Sequence, residues 1–302
     1  MTVAENSELI IYEKQLMDEI NEDREEHCKK PFDGPKPPER KTVNESTTDP
    51  ESGVFHKGEH KKCLAYTAQT ACDEHRYVVD VTVNSDNVHD SVAFDGLYDR
   101  MTDKHPEIET VVMDAGYKTP WICKKVFDDK RIPVLPYKRP MGKTNFFRPA
   151  RYIYDEHYDC VLCPEDHVLS YVTTNRDGYR EFKSKSYQCA NCPSIENCTE
   201  SIKHEKLVTK HIWEEYIERA EDVRHTPKYK ALYGKRKETI ERVFADAKEK
   251  HAMRYTNHRG LSQVTNRERL KFAAMNLKKY AIHRCKEVLI YLYFVIFQPV
   301  FA

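Results

Sequence analysis

Residues 109–117, Glu-Thr-Val-Val-Met-Asp-Ala-Gly-Tyr, are the stretch on which the fold prediction rests. Val111, Val112 and Met113 form a short apolar run that predicts a strand covered on both faces of a sheet. Asp114 follows this run, and Ala-Gly-Tyr then breaks the strand pattern. Because α/β sheets carry functional groups at the carboxyl ends of strands, Asp114 is a candidate site residue. An Asp that only caps a turn is the ordinary alternative.

The segments around this strand alternate between strand and helix patterns. Thr119 as N-cap and Pro120 at the first helical position predict a helix directly after the turn. The order of elements predicts an α/β fold, a mixed sheet with flanking helices. The predicted elements are a hairpin at residues 63–70 and 77–83, a helix after an Asp90 cap to 101, the strand ending at 114, a helix at 120–128 and a strand at 132–135.

Residues 235–250 predict the strongest helix in the chain. Its apolar stripe leaves Glu241 at the edge of the core, where a carboxylate is placed to meet Asp114. A solvated charge on a surface helix is the alternative for Glu241. The stripe consists of Ile240, Val243, Phe244 and Ala247.

The charge of this 302-residue chain is unevenly distributed although its net charge is zero. Residues 1–45 carry 7 basic and 12 acidic side chains, residues 118–151 carry 10 and 2, and residues 201–286 carry 22 and 11. Two basic blocks around an acidic site predict a polyanionic partner. An ordinary charged surface is the alternative for each block alone. The apolar tract at 288–297 is too short to span a bilayer, so no membrane partner is predicted.

Five of the ten cysteines cluster in one part of the chain. Two Cys-x-x-Cys pairs resemble a zinc ribbon, and four thiolates satisfy a tetrahedral zinc ion, so five candidates compete for four places. Reduced, metal-free cysteines are the alternative, and a thiol redox site is disfavoured because no βαβ unit presents the first pair. The clustering indicates a reducing compartment and a structural zinc. The candidates are Cys160, Cys163, Cys189, Cys192 and Cys198.

The ordered set of motifs resembles bacterial insertion-sequence transposases of the DDE type. The set comprises Val-Val-Met-Asp114-Ala-Gly-Tyr, Arg-Lys-Glu-Thr-Ile-Glu241-Arg-Val-Phe-Ala-Asp-Ala-Lys248 and Arg259-Gly-Leu. The resemblance extends to residues 46–53 and 87–91 and covers about residues 40–282. It is specifically to the subgroup that carries a cysteine-rich insert before the Glu helix.

This resemblance implies an RNase H-like fold interrupted by a zinc-ribbon-like insertion. It implies metal-dependent phosphodiester hydrolysis and strand transfer, in which three carboxylates hold two Mg²⁺ (or Mn²⁺) ions. Asp114 would be the second carboxylate and Glu241 the third. The implied partners are transposon-end and target DNA and further copies of the chain, in a homo-oligomer on DNA. The implied location is the bacterial cytoplasm, associated with the nucleoid.

The resemblance also assigns side chains that contact DNA. Lys248 lies seven residues after Glu241, which matches the family's Glu-x6-Lys spacing. Tyr233 and Arg236 resemble the family's Tyr-x2-Arg, although four residues rather than three separate Arg236 from Glu241. The resemblance gives Lys248, Arg236 and Tyr233 as DNA contacts, and the basic block at 118–151 adds Lys124 and Lys125.

The first carboxylate of the family has no counterpart in this sequence. In the family it ends a strand upstream of a charged helical arm, whereas no strand ending in such an Asp precedes Lys62 here. Asp49 lies in a Thr-Thr-Asp-Pro loop pattern. The sequence therefore predicts an N-terminally truncated, catalytically impaired transposase. A non-catalytic DNA-binding protein derived from a transposase is the alternative.

The predicted organisation has five parts. They are a charged helical arm with a Pro-rich linker at 1–45, the first part of the catalytic domain at 46–138, the cysteine-rich insertion at 139–205, the helical second part of the catalytic domain at 206–286, and an apolar tail at 287–302.

Overall fold

The structure is a computed structural model that describes residues 7–34, 46–57, 61–86, 88, 91–138 and 145–296. Its helices are α1 (Ser7–Glu26), α2 (Phe94–Lys104), α3 (Pro120–Asp128), α4 (Ser186–Ala190), α5 (Glu214–Arg224), α6 (Pro227–Lys235), α7 (Ile240–Lys250) and α8 (Leu261–Ile296). Its strands are β1 (Gly53–Lys57), β2 (Lys61–Cys72), β3 (Val78–Ser85), β4 (Thr110–Val112), β5 (Ile132–Val134), β6 (Ile153–Asp155), β7 (Cys160–Leu162), β8 (Val168–Thr174), β9 (Tyr179–Lys183) and β10 (Leu207–His211). The predicted Asp90 cap lies outside the described residues.

The chain divides into two compact units. The first unit consists of Met1–Arg40, Lys118–Asp129 and Pro136–Asp222, and the second of Lys41–Tyr117, Lys130–Leu135 and Val223–Ala302.

The second unit contains the predicted hairpin. β2 and β3 pair antiparallel, with Tyr66 opposite Ser85, and β1 pairs with the start of β2. β4 and β5 form a separate parallel pair, with Thr110 opposite Ile132. Among the described residues, the strands that were predicted to form one mixed sheet therefore form two sheets, β1-β2-β3 and β4-β5. β4 and β5 are only three residues long, so each offers few ladder hydrogen bonds to a further strand.

Two helices cover the hairpin of the second unit. Val81 and Val83 of β3 share one buried cluster with residues of α7 and α8, namely Val243, Ala247, Val264 and Phe272. The predicted helix at 235–250 is interrupted, since α6 ends at Lys235 and α7 begins at Ile240. The hydroxyl of Thr239 donates to the carbonyl of Lys235 at 3.0 Å. Thr239 has non-helical backbone angles (φ −102°, ψ −98°) at the start of α7, so the helix does not continue through it.

The first unit is built on a five-stranded antiparallel sheet in the order β10-β9-β8-β7-β6. Val161, Leu169 and Phe182 form its buried cluster. Its last strand, β10, lies beyond residue 205, where the sequence places the end of the cysteine-rich insertion. The sheet therefore continues past the predicted end of the insertion.

Helix α1 is part of the core of the first unit, which corrects its prediction as an arm outside any core. Ile20 is fully buried and Met17 is 7% exposed. The weak apolar stripe made this hard to predict, because several of the contacts that hold α1 are polar. Arg180 forms an ion pair with Asp23, and the Trp213 indole N–H donates to Glu19.

His27 joins the end of α1 to the sheet of the same unit. Its Nε2 lies 2.5 Å from Oδ2 of Asp159, and its Nδ1 lies 2.6 Å from the Asp23 carbonyl. Both ring nitrogens face hydrogen-bond acceptors, and only the protonated ring can donate a hydrogen bond from each nitrogen. Burial lowers the pKa of His27, but the bonds to Asp23 and Asp159 outweigh it, so the pKa is raised above 6.5. The ring also stacks on Tyr171, with centroids 3.7 Å apart.

We expect the His27 contact to make the first unit more stable on the acidic side of neutrality. A raised folded-state pKa gives stability that is fully present below about pH 6.5 and is lost as pH rises through the folded pKa. Asp159→Asn should therefore lower the melting temperature more at about pH 6 than at about pH 8. The charged and titratable groups facing this contact are Asp23, Asp159, Arg180 and Tyr171.

Asp18→Asn is the matched control, because Asp18 is an exposed carboxylate on the same helix. It should leave the pH dependence of the melting temperature unchanged. Identical pH slopes in the wild-type chain and in Asp159→Asn would contradict the assignment.

The apolar tail predicted at 287–302 begins inside α8, which continues to Ile296. Among the described residues, none of the helices combines the length and the apolar character that crossing a membrane requires.

Candidate active site

Asp114 directly follows the parallel strand pair. The Met113 N–H donates to the Val134 carbonyl at 2.9 Å, which extends the pairing of β4 with β5 to the residue before the acid. The Ala115 N–H donates to Oδ1 of Asp114 at 2.7 Å, and the Tyr117 N–H donates to the Asp114 carbonyl at 3.1 Å. The backbone turn thus orients the carboxylate, in agreement with the predicted strand, acid and turn.

Glu241 lies in the first turn of α7, where a carboxylate is favoured by the positive end of the helix dipole. Its N–H donates to the Arg236 carbonyl at 3.3 Å, so the turn that separates α6 from α7 fixes the start of the helix. The Glu241 side chain is 50% exposed. It is therefore accessible to an ion or to a polyanion.

The guanidinium of Arg236 brings the two acids together. Its Nη2 lies 3.2 Å from Oδ2 of Asp114, and its Nη1 lies 3.6 Å from Oε1 of Glu241. Since a guanidinium is a compact planar group, the two carboxylate oxygens are within about 9 Å of each other. The acids are distant in sequence but share one cation in the second unit.

Arg236 is the least exposed member of this group. Its side chain is 19% exposed, compared with 58% for Asp114. Its Nη1 donates to the hydroxyl of Tyr233 at 3.4 Å. Burial lowers the pKa of Arg236, but Asp114, Tyr233 and Glu241 outweigh this effect and raise the pKa, which strengthens its charged form. We refer to Asp114, Arg236 and Glu241 as the carboxylate–arginine cluster.

Lys248 is exposed on α7, two turns after Glu241. Its Nζ lies 5.8 Å from the ring centroid of Phe244. The side chain is therefore on the surface of the helix that carries Glu241, as contact with a phosphate requires.

Lys124, which was predicted to contact DNA, is largely enclosed by its own unit. This residue of the first unit is 8% exposed, and its Nζ lies 2.8 Å from Oδ2 of Asp128. It also lies over the rings of Trp213 and Tyr216. Its ammonium group is therefore paired with Asp128 and lies over aromatic rings within the first unit. Lys125, on the next position of α3, is partly exposed and lies 5.7 Å from the Trp121 ring centroid.

Asp49 has a structural role in the second unit. The Tyr66 hydroxyl donates to Oδ1 at 2.8 Å, and the Gly260 N–H donates to the same oxygen at 3.1 Å. The nearby Glu51 accepts from the Leu261 N–H at 2.7 Å, at the start of α8. Gly260 has a φ of +84°, which favours glycine. The motifs at 46–53 and 259–261 thus contact each other, and Asp49 remains in a loop as the sequence predicts.

The cysteines predicted to bind zinc are free, and Cys163 and Cys189 lie near Cys198. Burial raises the thiol pKa of Cys160, and the charges of Asp155 and Asp159 raise it further. Cys198 lies 3.2 Å from the Tyr152 hydroxyl. Burial, this contact and the nearby thiols of Cys163 and Cys189 raise the pKa of Tyr152.

No group of three or more His, Cys, Asp or Glu side chains is arranged to hold a metal ion in the part of the chain that is described. Zinc binding by the cysteines stays a prediction from their spacing. The two carboxylates of the cluster do suit Mg²⁺, which is usually bound through one or two carboxylates and completes its shell with waters and substrate phosphates.

The fold and the site together define an α/β protein with a carboxylate pair at the end of a strand. Residues 162–281 match the family model described as "Transposase DDE domain". This match covers less than half of the chain and supports the predicted resemblance to DDE transposases. The matched part contains Glu241, Lys248, Arg236 and Tyr233 but not Asp114. No curated protein and no solved structure matched the chain.

The position of Arg236 between the two acids did not follow from the sequence. Its spacing to Tyr233 predicted a DNA contact instead. Its position in the turn just before Glu241 could have indicated this contact, because a residue in that turn lies close to the start of the helix that carries Glu241.

Proposed function

We propose that this chain is an insertion-sequence DNA transposase of the DDE type, acting in bacteria, in which Asp114 and Glu241 bind a divalent metal ion. The contact of both carboxylates with one guanidinium carries this proposal. It supports the reaction class because a two-metal site requires carboxylates that reach ions about 4 Å apart. The family match at 162–281 supports transposon-end and target DNA as substrates. We also propose that the chain acts as a homo-oligomer on DNA and is associated with the nucleoid.

Each residue of the cluster has a distinct part in the proposed reaction. The Ala115 N–H holds one Asp114 oxygen, which leaves Oδ2 directed at the shared site. Glu241 supplies the second carboxylate from the start of α7. Lys248 binds a phosphate further along the same helix. When bound, Mg²⁺ or Mn²⁺ supplies Lewis-acid activation of the phosphodiester and of the attacking hydroxyl.

The test is an assay of the purified chain on duplex oligonucleotides from the ends of its own element. Nicks and joined strands are resolved on a denaturing gel with Mg²⁺, with Mn²⁺ and with a chelator. We expect slow nicking that depends on the metal, because only two carboxylates meet at the site among the described residues and the predicted enzyme is impaired. DNA binding without nicking under every metal condition would contradict the proposal.

A non-catalytic DNA-binding protein is the second candidate function. It is favoured by the lack of a third metal-binding side chain beside Asp114 and Glu241 among the described residues. The same assay separates the candidates, since this one gives a shifted DNA band and no products.

Structural zinc in the first unit stays a prediction from cysteine spacing. Cys163 and Cys189 lie near Cys198, whereas the charged neighbours of Cys160 are Asp155 and Asp159. We therefore expect about one zinc ion per chain in metal analysis, held by Cys163, Cys189, Cys192 and Cys198. Cys198→Ser should lower the zinc content.

Cys160→Ser is the matched control, because Cys160 and Cys198 are each 8% exposed. It should keep the zinc content of the wild-type chain. Equal loss of zinc in both variants, or a wild-type chain that holds no zinc, would contradict the assignment.

A further inference from the structure

The position of Arg236 raises the question of how a metal ion reaches the two carboxylates. Its guanidinium contacts Oδ2 of Asp114 and Oε1 of Glu241, the two acids proposed to bind metal. A guanidinium remains protonated at any physiological pH, so it cannot leave by losing a proton. Bound metal and a guanidinium at these distances would repel each other strongly. The two cations therefore exclude each other at the same oxygens.

The main chain of Arg236 is fixed in the turn between α6 and α7, and its guanidinium is held by side-chain contacts. The Arg236 N–H donates to the Tyr233 carbonyl at 3.1 Å, and its carbonyl accepts from the Thr239 N–H and the Glu241 N–H, each at 3.3 Å. The hydroxyl of Tyr233 adds a side-chain contact. Arg236 is thus a built-in partner of the acids and is less exposed than either of them.

We propose that Arg236 is an internal counter-cation that competes with divalent metal for Asp114 and Glu241, and that DNA phosphate relieves this competition by binding the guanidinium. The inference rests on the proposed function, which makes these two acids the metal site. A phosphate is the matching acceptor because it binds guanidinium through two parallel charge-assisted hydrogen bonds. Metal and DNA then favour each other's binding, as linkage between two sites requires. In the absence of DNA, the guanidinium offsets one of the two negative charges and occupies oxygens that a metal ion would need.

The test is calorimetric titration of Mn²⁺ into the full chain without DNA. Binding that remains in the double variant Asp114→Asn/Glu241→Gln is subtracted, because it lies outside the cluster. Arg236→Gln should tighten the remaining Mn²⁺ affinity about fivefold or more, in the range of ordinary coupling between two sites. Addition of duplex DNA should tighten Mn²⁺ binding to the wild-type chain but change that of Arg236→Gln little.

Arg242→Gln is the matched control. Arg242 is an exposed arginine next to Glu241 in sequence, and its removal lowers the net charge by the same amount. It should leave the affinity for Mn²⁺ without DNA unchanged. Arg236→Lys gives a second measurement if Arg236→Gln fails to fold. A single ammonium cannot bridge both acids as a planar fork does, so its Mn²⁺ affinity should lie above that of the wild-type chain.

Unchanged or weaker Mn²⁺ binding in Arg236→Gln would overturn the inference and leave the proposed function standing. The same holds if Arg242→Gln tightens binding as much, because the effect would then be one of net charge. If neither the wild-type chain nor Arg236→Gln binds Mn²⁺ beyond the double variant, the carboxylates are not a metal site. That result would overturn the proposed function as well.

Discussion

Replacing Asp114 with asparagine is expected to abolish metal-dependent nicking, with a rate loss of at least about a hundredfold. Charge stabilisation by a metal contributes several kcal/mol to a phosphodiester transition state, and each 1.4 kcal/mol is about tenfold in rate. The substitution is nearly isosteric, and the amide oxygen can still accept from the Ala115 N–H. The fold should therefore survive while the ligand charge is lost. The measurement is the single-turnover nicking rate with Mn²⁺.

Asp49→Asn is the control for this prediction. Asp49 is also an acid in a stretch that resembles the family, but its carboxylate accepts from Tyr66 and Gly260. The amide keeps one acceptor oxygen and loses the negative charge. We expect a lower melting temperature and a nicking rate close to that of the wild-type chain.

Two outcomes would contradict this pair of assignments. Full nicking by Asp114→Asn would remove Asp114 from the reaction. A loss in Asp49→Asn as large as that in Asp114→Asn, with the melting temperature unchanged, would move Asp49 from the fold into the site. Fluorescence anisotropy of labelled duplex DNA should show that both variants still bind DNA.

Replacing Phe182 with alanine should have the largest effect on stability, about 3–5 kcal/mol for a buried aromatic side chain. Phe182 is fully buried on β9 and packs edge-on against Tyr154 and Tyr171, with ring centroids 5.7 and 6.0 Å away. The small cluster around it includes Val161 and Leu169. Few other side chains can fill the cavity, so the sheet of the first unit should lose its cooperative stability.

Hydrogen exchange with mass spectrometry is the suitable measurement, because the chain has two units and global unfolding need not be two-state. Amides of β7 to β10 should lose protection in Phe182→Ala. Val172→Ala is the matched control, since Val172 lies on β8 of the same sheet and is 39% exposed. It should change stability by less than about 1 kcal/mol. Equal effects in the two variants would contradict the assigned core.

Local patterns in the sequence predicted several elements closely. Thr119 and Pro120 placed the start of α3, and the Thr119 hydroxyl accepts from the Ile122 N–H at 3.3 Å. Capping depends on a few neighbouring residues, so it is readable from sequence. The β2–β3 hairpin and the buried face of α7 followed from residue periodicity in the same way.

Other features depend on contacts between distant segments and could not be predicted. The stripe on α1 is weak, yet Ile20 is fully buried in the first unit. Lys124 belongs to the basic block at 118–151, which was predicted to bind a polyanion, but Asp128 and the rings of Trp213 and Tyr216 enclose it. The single predicted mixed sheet is two sheets here. In each case the deciding partner lies elsewhere in the chain, or the length of a strand limits its pairing.

The sequence alone determined the two candidate acids, because each lies at a local signal, the end of an apolar strand for Asp114 and the edge of an amphipathic helix for Glu241. Only the tertiary structure decided that both contact Arg236 and that Asp49 does not join them. The physical reason is that strand, turn and helix patterns are short-range properties of the chain. Which charges neutralise one another depends on how the folded segments pack.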